Sequence, residues 1–196
     1  MSKPFIPIGH YFKACFNKEI EEQISETKRK CFLLNSTDPC SEEYQTILKS
    51  ILGKMGKGTT ILPSFWCDYG YNIEVGDYFF ANHNMVITDG AKVTFGDYVF
   101  VAPNCCFTTA NHALDKKMRR EGIEVALPIK IGSDVWIGAG TTVLAGVEIG
   151  SGSIIGAGSI VTKSIPEDVI AFGNPCKVIR KITEKDRLRY PMHEEA

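Results

Sequence analysis

Between Ile131 and Pro166 one large aliphatic residue returns at every sixth position, with small or polar residues between. Six abutting units carry the pattern: IGSDVW, IGAGTT, VLAGVE, IGSGSI, IGAGSI and VTKSIP. Position one is always Ile or Val, position two is mostly Gly, and position five reads Val, Thr, Val, Ser, Ser, Ile. A helix buries a residue every three or four positions and a plain strand every two, so a period of six fits neither. It predicts a parallel β-helix in which each unit is a short strand and a turn. The aliphatic residue points inward, the small or β-branched fifth residue fills the corner, and three units close one triangular coil. Stacked coils hydrogen-bond about 4.8 Å apart, each covering the strand edge of the one before.

The same period runs earlier in a more worn form. Val75, Ala81, Ile87 and Val93 are spaced by six, and after a two-residue slip so are Phe95, Val101 and Phe107. From Phe107 to Ile131 the spacing is again a multiple of six, but the run Asp115-Lys116-Lys117-Met118-Arg119-Arg120-Glu121 cannot line an interior. Residues 108–127 are therefore expected as a loop thrown out of the coil, where function tends to sit on a rigid scaffold. Ahead of the repeats, Ser41 with Glu42 and Glu43 caps a predicted helix whose Tyr44, Ile47, Leu48, Ile51 and Leu52 share one face until Gly53. Residues 18–34 predict a weaker helix through Ile20, Ile24, Cys31 and Leu34. After the repeats, Gly173-Asn174-Pro175 breaks the chain before a short basic helix expected over 178–189. The expected fold is mainly β: an N-terminal helical cap over 1–57, a β-helix over 58–171 with the loop 108–127, and a C-terminal extension with a short helix over 172–196.

Charge narrows the partners. Lys plus Arg number 22 against 23 Asp plus Glu, a net charge of -1 without a basic block, so neither nucleic acid nor an anionic membrane is expected as a partner. No run approaches the ~18 apolar residues of a membrane span, and Pro4 and Pro7 interrupt the start before a signal-peptide apolar region forms. A cytoplasmic protein is expected. Its seven cysteines are odd in number and lack Cys-x-x-Cys spacing, which suggests small buried hydrophobes in a reducing compartment.

The repeats, together with Cys67-Asp68-Tyr69-Gly70-Tyr71-Asn72-Ile73, Phe79-Phe80-Ala81-Asn82, the His112 loop, Val135-Trp136-Ile137-Gly138, Ile160-Val161-Thr162-Lys163 and Gly173-Asn174-Pro175, resemble the maltose and galactoside O-acetyltransferases. The likeness runs from about residue 40 to 182. It implies a left-handed β-helix, acetyl-CoA as donor without a metal, and a homotrimer with active sites between subunits. His112, the one imidazole in the projecting loop, is then the general base, imidazole being the side chain suited to exchanging protons near neutral pH. The resemblance gives Asn82, Asp68 and Glu124 to the acceptor. It places Trp136 as a wall beside the thiol end of the donor and the Ala139 backbone N–H near the thioester oxygen. Ala157, Thr162 and Lys163 match donor contacts, and Lys177 with Arg180 could meet its phosphates.

The chain also departs from the family. The stretch Cys15 to Glu26 aligns no Asp or Arg for the acceptor, Gly90 stands where galactoside acetylators carry a second acid, and Glu124 stands where some members have Met. With Tyr71 and Phe80 expected near the acceptor mouth, these differences imply a looser or different acceptor preference, nearer the maltose-type branch. Antibiotic hydroxyls and sugars on larger glycans stay open as acceptors. Other classes are a non-catalytic scaffold, which leaves His112 and Asn82 without a role, and a zinc hydratase of the carbonic anhydrase type. The hydratase needs three converging histidines from His10, His83, His112 and His193, of which only two lie in the repeats.

Overall fold

A computed structural model of the protein describes residues 8–187. Three parallel sheets form the sides of a prism, and the chain visits them in rotation. Sheet I stacks Lys54–Met55, Ile73–Val75, Val93–Phe95, Ile129–Ile131 and Glu148–Ile149. Sheet II stacks Thr60–Ile61, Phe80–Ala81, Phe100–Val101, Trp136–Ile137, Ile154–Ile155 and Val169–Phe172. Sheet III stacks Phe65–Cys67, Met85–Thr88, Cys106–Thr108, Thr142–Val143 and Ile160–Val161. This is the expected left-handed β-helix.

Its interior follows the period. Ile131, Ile137, Val143, Ile149, Ile155 and Val161 are each no more than 2% exposed, and the fifth-position residues, including Thr141, Ser153 and Ser159, are buried beside them. Each buried aliphatic side chain contributes roughly 1.5–3 kcal/mol. The worn stretch behaves alike, with Phe95 in ring contact with both Phe79 and Phe107.

The two-residue slip has a definite place. Paired residues lie 20 apart in the early coils (Cys67↔Ile87, Val75↔Phe95) and 18 apart in the late ones (Ile137↔Ile155, Val143↔Val161). The extra residues follow Cys67 and Ile87, at the corner between sheets III and I. One coil later the same corner, after Phe107, throws out the projecting segment.

Helices α1 (Lys18–Asn35) and α2 (Glu42–Ile51) cover the first coil. Ser41 caps α2 as expected, Leu48 and Ile51 are buried, and the Tyr44 hydroxyl donates to Ile61 O at 2.8 Å. The Asn35 side chain exchanges two hydrogen bonds with the Phe65 backbone, which pairs the open edge of sheet III. The projecting segment is more ordered than a loop. Ala110–His112 and Ile123–Ala126 pair antiparallel around α3 (Lys116–Arg120), and Phe12–Lys13 adds a third strand opposite Glu124 and Ile123.

The helix expected over 178–189 is not formed. Lys177–Lys181 folds back as a strand antiparallel to Val169–Phe172, and Glu184–Asp186 makes one 3₁₀ turn; positions 188 and 189 lie outside the described residues. The last coil of sheet II leaves a row of unpaired N–H and C=O groups, and pairing that edge outweighs the modest helical preference of a short segment.

Candidate active site

The III/I corner, α1 and the projecting segment enclose a cleft of about 470 Å³. One wall is apolar: Phe12, Phe16, Ile20, Ile24 and Tyr69. Among the described residues its charged groups are the carboxylates Glu21, Asp68 and Glu124 and the cation Lys28, beside the Ser25 hydroxyl and the Cys15 thiol. Burial pushes the Asp68 carboxyl up, Lys28 opposes that shift, and the nearby charge of Glu124 adds to it.

His112 stands beside this cleft through Glu124. The two residues are directly opposed in the antiparallel hairpin, and His112 Nδ1 lies 3.3 Å from Glu124 Oε1. The carboxylate is 17% exposed and the imidazole 57%. The carboxylate thus stands within ion-pair distance of Nδ1, and Nε2 is the ring's other nitrogen. Cys15 Sγ lies 3.6 Å from the same Glu124 oxygen, so α1's entry segment also buttresses the pair.

Asn82, Trp136, Ala139 and Ala157 gather at the II/III corner, away from His112 in the same chain. Each coil turns there through three residues: Leu62-Pro63-Ser64, Asn82-His83-Asn84, Ala102-Pro103-Asn104, Gly138-Ala139-Gly140 and Gly156-Ala157-Gly158. The middle N–H of this turn has no strand to bond. Pro63 and Pro103 have none to offer, and that of His83 donates to Asn82 Oδ1 at 2.8 Å. The N–H groups of Ala139 and Ala157 have no acceptor among the described residues. Trp136 stands exposed on sheet II just before this turn. A Cβ added at Gly158 would meet nothing within 4 Å, so the corner offers an open, smooth track. Thr162 and Lys163 lie exposed at the end of the solenoid, and Cys176 N bonded to Ile160 O brings Lys177 to that end. Arg180 is already held by two hydrogen bonds to Asp186, at 2.7 and 2.8 Å.

His83 and His112 sit on different corners, and no group of three His, Cys, Asp or Glu side chains among the described residues could hold a metal ion. No helix of the described residues is long and apolar enough to cross a membrane.

Beneath the cleft, Asp89 is fully buried. Its Oδ1 accepts the N–H groups of Asp68 and Tyr69 at 3.0 and 2.9 Å, while Oδ2 has no partner among the described residues. Burial pushes this carboxyl up to about 6 against the pull of the Tyr69 N–H. Because the folded value lies above the ordinary one, the group's stabilising contribution is complete below about pH 4 and is lost as pH rises through about 6. Asp89→Asn keeps the acceptor and removes the titration. Urea unfolding of this variant is expected to lose about 2 kcal/mol of the wild-type stability difference between pH 4.5 and 7. An unchanged difference would assign the pH dependence elsewhere.

Cys15, Phe16, Lys28 and Tyr69 were not singled out from the sequence. The stripe Ile20, Ile24, Lys28 at helical spacing was a usable signal for α1, whereas nothing local marks Tyr69 over its neighbour Tyr71. Tyr71 faces a different cleft on the other side of α1, and Phe80 lies on the outer face of sheet II.

Residues 128–163 match the bacterial transferase hexapeptide family (six repeats). The chain is 48% identical to a putative acetyltransferase of Saccharomyces cerevisiae over 91% of each chain. It is 41% identical to the galactoside O-acetyltransferase of Escherichia coli, over 76% of this chain and 73% of the relative. Its structure resembles a galactoside acetyltransferase in complex with coenzyme A, with a TM-score of 0.89 and 35% identity over 96% of this chain and 94% of that one. A maltose O-acetyltransferase from Clostridium difficile gives 0.83 and 42% over 86% and 90%. The coil and these likenesses agree: the chain belongs to the hexapeptide-repeat acetyltransferases, the family of the galactoside and maltose O-acetyltransferases.

Proposed function

We propose that this chain moves an acetyl group from acetyl-CoA to a hydroxyl of a sugar or related small acceptor, directly and without a covalent enzyme intermediate. The observation that carries the reading is the opposed His112–Glu124 pair beside the cleft. His112 Nε2 takes the proton as the hydroxyl oxygen attacks the thioester carbon, and returns it to the sulfur as the C–S bond breaks. Glu124 holds the ring in the required tautomer and steadies the imidazolium that forms. The Ala139 N–H stabilises the charge growing on the carbonyl oxygen, and Asn82 Nδ2 orients the acceptor. Acetyl-CoA supplies an activated acyl group on a long arm. That arm fits the track past Trp136, Ala139 and Ala157, with Thr162, Lys163 and Lys177 toward its phosphates. Arg180 joins them by exchanging Asp186.

His112 and the Ala139 turn lie at different corners of one chain, so the site is proposed to form between copies in a homotrimer. The outer faces support this. Sheet I presents Lys54, Glu74, Thr94, Lys130 and Glu148, with ion pairs Lys92–Glu74 and Lys130–Glu148. Sheets II and III present Phe100, Trp136, Trp66 and Val86, apolar faces suited to association about a three-fold axis.

The acidic, half-apolar cleft favours an uncharged polyol with an apolar portion over an anionic sugar. The test is thiol release from acetyl-CoA across a panel of glucose, maltose, galactosides, glycolipids, aminoglycosides and sugar phosphates, with the product read as a mass gain of one acetyl. Turnover on neutral hydroxyl acceptors is expected, from a particle three times the 21.7 kDa chain mass by light scattering. Release with no acceptor of any kind, or activity in the monomer, would count against the reading.

A further inference from the structure

We infer that Thr141, assisted by Cys105, is a positioning residue for acetyl transfer: it locks the Gly138–Ala139 peptide with its carbonyl inward, so that the Ala139 N–H faces the reacting carbonyl. This deepens the proposed function and rests on the donor role given there to Ala139.

The turn middle is the weak point of any such donor. A peptide that follows a glycine in a solvent-facing turn can rotate as a unit, and a rotated peptide would aim a carbonyl at the oxyanion. The fold blocks that rotation from inside. Thr141 Oγ1 donates to Gly138 O at 2.7 Å, and the Cys105 thiol, from the preceding coil, lies 3.3 Å from the same oxygen. Both side chains are buried, Thr141 at 0% and Cys105 at 1% exposure. Burial pushes the Cys105 thiol up, so it stays protonated and donating. The peptide is trans, so a carbonyl pinned inward sends the following N–H outward. Rotation would leave the Thr141 hydroxyl only a long 3.5 Å contact to Gly156 O and the Cys105 thiol only a 3.8 Å contact to Pro103 O, a cost that holds the donor in place.

The column of equivalent positions singles this device out. Three residues after the start of the turn, the inward residue is Phe65, Met85 and Cys105 in the three coils whose turn middle offers no open N–H. It is Thr141 and Ser159 in the two coils whose middle residue, Ala139 or Ala157, does. Ser159 Oγ bonds Gly156 O just as Thr141 bonds Gly138 O. Hydroxyl and open N–H occur together at this corner.

A hydroxyl bonded three residues back also occurs far from the site. Thr59 Oγ1 donates to Gly56 O at 2.8 Å at the I/II corner, where the next N–H is taken by Asp77. Thr59→Val therefore reports the purely structural cost of losing such a bond. Thr141→Val is expected to lower kcat about tenfold or more while KM for acetyl-CoA stays within about twofold, and Thr141→Ser to restore kcat to within about threefold. Thr59→Val is expected to lose comparable thermal stability with kcat unchanged. If the valine variant does not fold, Thr141→Ala serves in its place. Two outcomes overturn the inference: a normal kcat in Thr141→Val alongside an impaired Ala139→Pro, or equal kcat losses in Thr141→Val and Thr59→Val. A normal kcat in Ala139→Pro would instead remove the donor role on which the inference rests.

Discussion

Replacing His112 with alanine is expected to lower turnover by a factor on the order of 10² to 10⁴, about 2.7–5.5 kcal/mol of transition-state stabilisation, while acetyl-CoA binding persists. A hydroxyl is a poor nucleophile until its proton has somewhere to go, and His112 offers a half-exposed imidazole whose Nδ1 lies 3.3 Å from Glu124 Oε1. The ring sits on a hairpin strand paired to Ile123–Ala126, which in turn pairs to Phe12–Lys13, so its backbone is held on a three-stranded sheet. The substitution should leave that sheet intact, because the imidazole is mostly exposed. The measurement is steady-state kcat with a true acceptor beside calorimetric titration of acetyl-CoA. Near-normal turnover would take His112 out of the role.

Replacing Ala139 with proline is expected to lower kcat by about 10² to 10³, the usual worth of one oxyanion donor, with the unfolding midpoint close to wild type. Proline deletes the N–H and nothing else that the turn uses. The corner already accepts proline at this place in two other coils, as Pro63 and Pro103, and the preceding Gly138 has no Cβ to clash with the ring. Because Ala139 N–H bonds nothing within the described chain, its loss leaves no buried group unpaired. An effect on kcat without an effect on stability therefore assigns the N–H to the reaction. Full activity in the proline variant would show that the carbonyl oxygen is held elsewhere. Ala139→Ser, which keeps the N–H, is the matched control.

Much of the solenoid was legible one residue at a time. The sixfold return of Ile and Val from Ile131 to Val161, and the worn series from Val75 to Phe107, identify the same inward positions that the structure buries. That is possible because the alternation of inward and outward side chains is a property of each strand and its turn, independent of neighbours. The two-residue slip and the charged run after Phe107 likewise marked the corner where the projecting segment leaves the coil. His112 and Glu124 were both singled out, but as a base and an acceptor contact, not as partners.

What the sequence left undecided depends on groups that meet across coils or ends. Twelve positions separate His112 from Glu124, and only the antiparallel register of the hairpin opposes them. Lys177–Lys181 has a composition compatible with a helix, yet it becomes a strand because the last coil presents an unpaired edge. The wall that α1 contributes through Ile20, Ile24 and Lys28 is set by where Asn35 and Thr27 anchor the helix to Phe65 and Tyr69. The open Ala139 N–H follows from what stands above and inside its turn, Pro103, Cys105 and Thr141, none of which adjoins it in the chain. Periodicity in a sequence records what each residue does relative to its own backbone. Hydrogen-bond partners and free donors are decided by which edges and carbonyls the finished coil leaves unmatched.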